Sequence, residues 1–295
     1  MRNHCGPTVR RLRALAVIGA GAVVLAACGT TAGTGESPAV RPVSATQDTA
    51  PAFSVPPADG VLDYQLGGAY PPPEGVTVVA RDSTAEPAAG LHNICYVNGF
   101  QSQPGDRELW LGERRDLVLS GPDGEPVSDP GWPDELILDT STEQHRTRLA
   151  EIIGESVEGC AARGFDSVEL DNLDSYSRSA DLLTEDDNLA MAKLLADVAH
   201  GSGLAVAQKN AAELGARGKD EAGFDFAITE SCHRWEECAD YAAVYGGGVL
   251  DVEYADDLRG TFPEVCADPA TPATTTLRDH DLVGPDDPAH VFDHC

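Results

Sequence analysis

Short β-rich runs recur along the chain, separated by segments in which apolar residues fall at helical spacing. Eight runs carry the strand pattern, at 61–66, 76–80, 93–97, 136–138, 167–170, 204–208, 226–229 and 249–252. Between the fourth and fifth, Ser141 and Gln144 have capping-box spacing. Leu149, Ile152, Ile153, Val157 and Cys160 then share one face until Gly164 stops the helix. Thr184 and Asp187 open a second helix with Leu189, Leu194, Leu195 and Val198 on its stripe, ending at Gly201 and Gly203. A third helix is expected over 236–245 and a weaker one over 211–222. Regular strand–helix alternation predicts an α/β fold with a parallel sheet and right-handed crossovers. Eight strands suggest a closed (β/α)8 TIM barrel. Because 61–254 is compact for such a barrel, an open doubly wound sheet is the alternative.

The termini change the picture. Arg2, Arg10, Arg11 and Arg13 precede an apolar run at 14–27 that is too short to span a bilayer, the pattern of a secretory signal. It ends in Leu25-Ala26-Ala27-Cys28, which resembles a bacterial lipobox and implies cleavage before Cys28, lipidation of its thiol and a membrane-anchored, extracytoplasmic protein. Residues 29–57 are Ser, Thr, Ala, Gly and Pro with almost no large apolar side chain, so they cannot offset the cost of their own ordering and read as a tether. The expected organisation is a signal peptide at 1–27, a flexible linker at 28–57, the barrel at 58–260 and a polar, Pro-rich tail at 261–295. Residues 101–132, rich in Gly, Pro, Asp and Arg, read as a long loop over the C-terminal face, with a short helix within 109–119.

Beyond the signal and Cys28 the chain keeps six cysteines, and in an oxidising compartment three disulfides are expected. Sequence proximity pairs Cys232 with Cys238 and Cys266 with Cys295, the latter pinning the tail. The cysteine spacings do not match a zinc finger or ribbon, so no metal is expected there. The formal charge is −29, and signal cleavage removes four arginines and no acid. Such a field excludes nucleic acid as a partner and favours a cationic polymer, although solubility alone would also account for it.

In a parallel barrel the residues just past each strand converge on one face. Here they are Gln65, Asp82, Asn98, Asp139, Asp171 with Asn172 and Asp174, Lys209 with Asn210, Glu230, and Glu253 with Tyr254. Taken alone, the stretch 164–176 fits a turn, a calcium loop or a catalytic carboxylate site equally. The excess of carboxylates and amides over the whole rim favours a sugar pocket. Asp171 and Glu230 are the best pair for cutting a glycosidic bond, one protonating the leaving oxygen and the other attacking carbon or activating water. Lys209 lies between them in sequence, placed to hold one carboxylate ionised, and Asn172 and Asn210 can bind sugar hydroxyls. No Gly-x-Ser-x-Gly elbow competes. His233 reads as structural. Tyr64, Trp110, Trp132, Tyr176, Trp235 and Tyr254 are candidate stacking faces near the mouth, although ordinary packing explains each one singly.

Several blocks in order over 61–255 resemble glycoside hydrolase family 114, the endo-α-1,4-polygalactosaminidase-like family of (β/α)8 barrels. They are Tyr64-Gln65-Leu66, Ile94-Cys95-Tyr96-Val97, the 164–176 stretch with Asp171-Asn172-Leu173-Asp174, Lys209-Asn210, Glu230-Ser231-Cys232, and Glu253-Tyr254. The resemblance implies hydrolysis of partly deacetylated, cationic α-1,4-galactosamine polymers. Asp171 would be one catalytic carboxylate, as nucleophile, and Glu230 the acid/base. Asp82, Asp174, Lys209, Asn210, Glu253 and Tyr254 would line the substrate site, and Cys232–Cys238 would be a disulfide. The chain departs from the family after the third strand, where Asn98-Gly99-Phe100-Gln101-Ser102-Gln103 intervenes, and at Arg81-Asp82-Ser83. No cofactor is implied and a monomer is expected. The alternatives are a non-catalytic surface lipoprotein binding glycans in the same cleft, and a calcium-stabilised module built on Asp171 and Asp174.

Overall fold

A computed structural model describes residues 53–295. The expected signal peptide, Cys28 and all but the end of the expected linker lie outside the described residues. Strands β1 (Leu62–Gln65), β2 (Val78–Asp82), β3 (His92–Asn98), β4 (Ser167–Asp171), β5 (Ala205–Lys209), β6 (Phe226–Glu230), β7 (Val249–Tyr254) and β8 (Thr276–Arg278) pair in sequence order, all parallel. A ninth, β9 (Phe292–His294), adds antiparallel to β8. Side chains bridge the seam between β8 and β1: Thr276 Oγ1 donates to the Leu62 carbonyl at 2.8 Å, and the Arg278 guanidinium reaches the Tyr64 carbonyl and Asp63.

Strand periodicity of two sorts the residues into two rows. Leu62 and Tyr64, Val78 and Ala80, Ala205 and Ala207, Phe226 and Ile228, and Leu250 and Val252 fill the barrel interior. The alternate residues, among them Cys95, Val97, Val168, Leu170 and Val206, pack outward against helices. Helices α1 (Arg107–Gly112) and α2 (Glu143–Arg163) lie between β3 and β4, and α3 (Glu185–Gly201) between β4 and β5. Two short ones, α4 (Cys232–Trp235) and α5 (Cys238–Tyr245), follow β6, and α6 (Phe262–Ala267) follows β7. The β1–β2 and β2–β3 crossovers carry no helix, which is how a barrel fits into so few residues.

Four expectations are corrected. The run 136–138 is not a barrel strand. It makes isolated antiparallel bridges to Gln101, Val118 and Ser128 inside the insertion between β3 and α2, and it carries Asp139 away from the barrel mouth. The eighth strand is instead β8, within the stretch read as a tail, so the barrel runs past residue 260. Helix α2 is capped by Thr142, whose side chain accepts from the His145 amide, rather than by a box of Ser141 and Gln144. The Thr184–Asp187 capping box forms as expected. Residues 211–222 hold only a 3-10 turn and one π turn, and the short helix of the 101–132 loop is α1. The disulfides are Cys232–Cys238, Cys266–Cys295 and Cys95–Cys160, the last tying β3 to α2.

Candidate active site

The inward rows continue upward into charge. On β4, Glu169 and Asp171 follow Ser167; on β5, Lys209 follows Ala205 and Ala207; on β6, Glu230 follows Phe226 and Ile228. Each of these strands stops with a residue in the left-handed region: Asn172 at φ 63°, Asn210 at φ 46° and Ser231 at φ 63°. Asparagine tolerates that conformation better than most side chains. The chain therefore turns away at once and leaves Asp171, Lys209 and Glu230 at the mouth.

Lys209 is the hub. Its Nζ lies 3.0 Å from Asp171 Oδ1, 3.0 Å from Glu230 Oε2 and 3.2 Å from Glu169 Oε1, with only 2% of its side chain exposed. Burial works against its charge, but Asp171 and Glu230 override this and hold it protonated well above the ordinary lysine range. Burial likewise pushes the Asp171 carboxyl up. The Lys209 ammonium and the Tyr96 hydroxyl, which donates to Oδ2 at 2.6 Å, more than offset it and leave Asp171 below its usual value. Glu169, fully buried beneath them, accepts from Tyr64 at 2.6 Å and keeps its other oxygen without a partner. Burial, opposed by Lys209, raises its carboxyl to about 7. Glu230 accepts from the Tyr254 hydroxyl and from Asn210 Nδ2 at 3.5 Å, while its own amide donates to Asn210 Oδ1 at 2.8 Å. The Tyr254 ring stacks on His280 with centroids 4.0 Å apart.

A second polar cluster adjoins Asp171. Asn172 Nδ2 donates to Asn98 Oδ1 at 3.0 Å, and Asn98 lies opposite Asp171 in the β3–β4 register. Arg178 donates to Asn172 Oδ1 at 2.9 Å and pairs with Asp174 at 2.6 Å and with Asp129. Thus Asp171 and Asp174 answer to different cations, Lys209 and Arg178, rather than converging on one point as a calcium loop would require. Asp82 sits half-buried at the rim, where its carboxylate accepts from Thr84. Asp171, Asn172, Asp174, Lys209, Asn210, Glu230, Tyr254 and Asn98 are brought together; three other candidates are not. Gln65 belongs to the outward row of β1 and bonds Asp63 and Arg81. Glu253, on the outward row of β7, accepts from the amides of His233 and Arg234 and so anchors the start of α4 behind the site. Tyr176 donates to Glu213 instead of facing Asp171.

The aromatic candidates also divide. Tyr64 is buried inside the barrel, and Trp110 is buried under Arg114, whose guanidinium lies 4.9 Å from the ring centroid. Trp132 and Trp235 stand out, 66% and 59% exposed. Tyr96, Glu169 and Arg178 belong to the site and were not singled out from sequence. Tyr96 and Glu169 each stand two residues before a recognised strand end, so strand parity alone would have found them. Cavity size does not locate this chemistry: a cavity of about 650 Å³ beside Tyr70 and Arg81 contains none of these groups.

The fold has solved counterparts. Aspergillus fumigatus Ega3, in its complex with galactosamine, superposes with a TM-score of 0.60 at 19% identity, covering 85% of this chain and 98% of that one. The glycoside hydrolase domain of PelA from Pseudomonas aeruginosa gives a TM-score of 0.52 at 13% identity, covering 80% and 99%. No curated protein sequence matches the chain at a significant level. The sequence profile of glycoside-hydrolase family GH114 matches residues 43–295. That match spans the whole barrel together with β8 and β9, and the chain therefore belongs to glycoside-hydrolase family GH114 and is a glycosidase.

Proposed function

We propose that this glycosidase cleaves α-1,4-linked galactosamine-type polysaccharide through a covalent two-carboxylate mechanism, with Asp171 as nucleophile and Glu230 as acid/base. One observation carries the reading: Asp171 and Glu230, on β4 and β6, each place an oxygen 3.0 Å from the same ammonium, that of Lys209 on β5. Those oxygens are therefore no more than twice that distance apart. Such a gap suits the about 5–5.5 Å of retaining enzymes better than the wider spacing that leaves room for a water in inverting ones.

Asp171, kept ionised by Lys209 and Tyr96, attacks the anomeric carbon as Glu230 gives its proton to the departing glycosidic oxygen. A glycosyl ester on Asp171 forms and the glycosidic bond breaks. Glu230, now a carboxylate, takes a proton from water, whose oxygen displaces Asp171. Asp171 leaves as a carboxylate paired with Lys209, and Glu230 holds the proton taken from water, which restores the starting state. The formal charge of −29 favours a cationic polymer, and the structural counterpart holding galactosamine supports an amino sugar.

The test is product release from deacetylated α-1,4-polygalactosamine, with acetylated and neutral α-glycans for comparison. Oligomers are expected from the amino polymer. Asp171→Asn should reduce turnover to background, and Glu230→Gln should lower kcat by roughly 10²–10⁴-fold. An active double variant would sink the mechanism, and release from neutral glycans alone would sink the substrate class. The signal-like 1–27 segment and Cys28 support a lipid-anchored, extracytoplasmic enzyme. Cys28→Ala should then shift the protein from the membrane fraction to the soluble one.

A further inference from the structure

We propose that the turn at 129–135, in the insertion between β3 and α2, forms a sugar subsite beside Asp171, where Glu135 takes the ammonium of a 2-amino sugar and Trp132 stacks on its ring. The inference rests on the amino-sugar reading above and assigns the residues that read the amine.

The turn is held rigidly. The Asp129 amide donates to the Glu135 carbonyl at 3.0 Å and the Glu135 amide to the Trp132 carbonyl at 2.8 Å. Asp129 Oδ1 accepts from the amides of Gly131 at 2.7 Å and Trp132 at 3.2 Å, while Oδ2 accepts from Gln101 Nε2 at 2.7 Å and from Arg178. One end of this braced turn presents the Trp132 indole to solvent, where packing gives it no reason to be. The other end buries Glu135, 9% exposed, against the site: its Oε2 accepts from Asn98 Nδ2 at 3.0 Å, and Asn98 stands opposite Asp171.

The charges around Glu135 leave a positive group wanting. Asp171 on β4 and Asp129 in the insertion both repel it, and the cation that faces it, Arg178, is committed to Asp129, Asp174 and Asn172. Burial first, then Asp171 and Asp129, push its carboxyl up to about 7, against the Asn98 hydrogen bond. An ammonium at that place would restore the balance and displace the Glu135 proton. A neutral acetamido group would do neither. Gln101 also leaves Oε1 buried without a partner. With Asn98 it lines a cavity of about 550 Å³ running on toward Asp82 and Trp110, so polar groups continue beyond the turn.

Calorimetric titration of the full chain with a fully deacetylated α-1,4-galactosamine oligomer and its fully N-acetylated counterpart, at pH 5 and pH 7, tests this, because an amino-sugar amine, like an α-amino group, loses its charge by about pH 8. The unmodified protein should prefer the deacetylated oligomer by about tenfold or more at pH 7, the worth of a charge-assisted hydrogen bond to an amine still protonated, and by less at pH 5, where Glu135 keeps its proton. Glu135→Gln should collapse the preference and its pH dependence while leaving affinity for the acetylated oligomer unchanged. Glu135→Asp, which keeps the charge, should retain part of it. Trp132→Ala should weaken both ligands alike. An unchanged preference in Glu135→Gln, or none in the unmodified protein, overturns the subsite. Selective binding lost in Glu135→Gln without any product from the polymer would uphold the subsite and remove the hydrolytic reading instead.

Discussion

At the scale of single residues, the site depends on one buried cation facing three carboxylates. Lys209→Met would leave Glu169, Asp171 and Glu230 without their shared counter-charge. The Asp171 carboxyl, held down by that ammonium, should rise once it is gone. Because the nucleophile must be ionised, the acid limb of kcat/KM should move to higher pH, with activity lost first at low pH. A pH–rate profile checks this, and an unmoved acid limb would show that Lys209 does not set the ionisation of the nucleophile. Convergence of Asp171, Lys209 and Glu230 was legible because each ends a β-rich run and strands in a parallel barrel share one open end. The misplaced Gln65 and Glu253 also end runs, but they stand one residue out of phase with the inward row. With a period of two, that single step puts a side chain behind the sheet. Apolar content alone did not reveal the phase, since both faces of these strands are buried.

At the scale of elements, the strand that closes the barrel was the hardest to read. Thr276-Leu277-Arg278 is short and polar, while 136–138 is a clean apolar run, so apolar pattern chose the wrong segment. What makes β8 a barrel strand is long-range: Arg278 is fully buried and pairs at 3.2 Å with Asp63, also fully buried, across more than two hundred residues. Asp63 further accepts from Tyr70 and Gln65, each at 2.7 Å. Removing one partner of a buried pair leaves the other charge uncompensated, so Arg278→Ala should cost roughly 3–5 kcal/mol. Denaturant titration measures it, and a loss under about 1 kcal/mol would mean the seam is held otherwise. A chain truncated after residue 260 lacks β8 and should not fold, which circular dichroism and the absence of a cooperative transition would report.

Over the whole molecule, an acidic chain has placed several carboxyls where water does not reach. Glu135 and Glu169 are raised to about 7, chiefly by burial, and burial also raises the adjacent Asp251 and Glu253 behind β7. For such groups the native state binds its protons more tightly than the unfolded chain, which releases them near pH 4–4.5. The native state is therefore favoured below the unfolded values, and that advantage is lost as pH rises through the folded ones. Asp171, Asp129 and Asp279 have lowered values and act in the opposite sense, but their contribution fades only as pH falls below the ordinary aspartate range. Between pH 5 and pH 8 the raised groups dominate, and the surplus negative charge works in the same direction. The melting temperature should thus be highest near pH 5 and fall toward pH 8 at constant ionic strength. An amino-sugar oligomer should recover more of it near pH 7, where its amines are still charged, than at pH 5, because the ligand binds the ionised site of the folded chain. Scanning calorimetry across this range decides it: a melting temperature that climbs from pH 5 to pH 8 without ligand would mean the buried carboxyls are ionised at little cost. The charge balance drawn for Glu135 and Glu169 would then have to be abandoned.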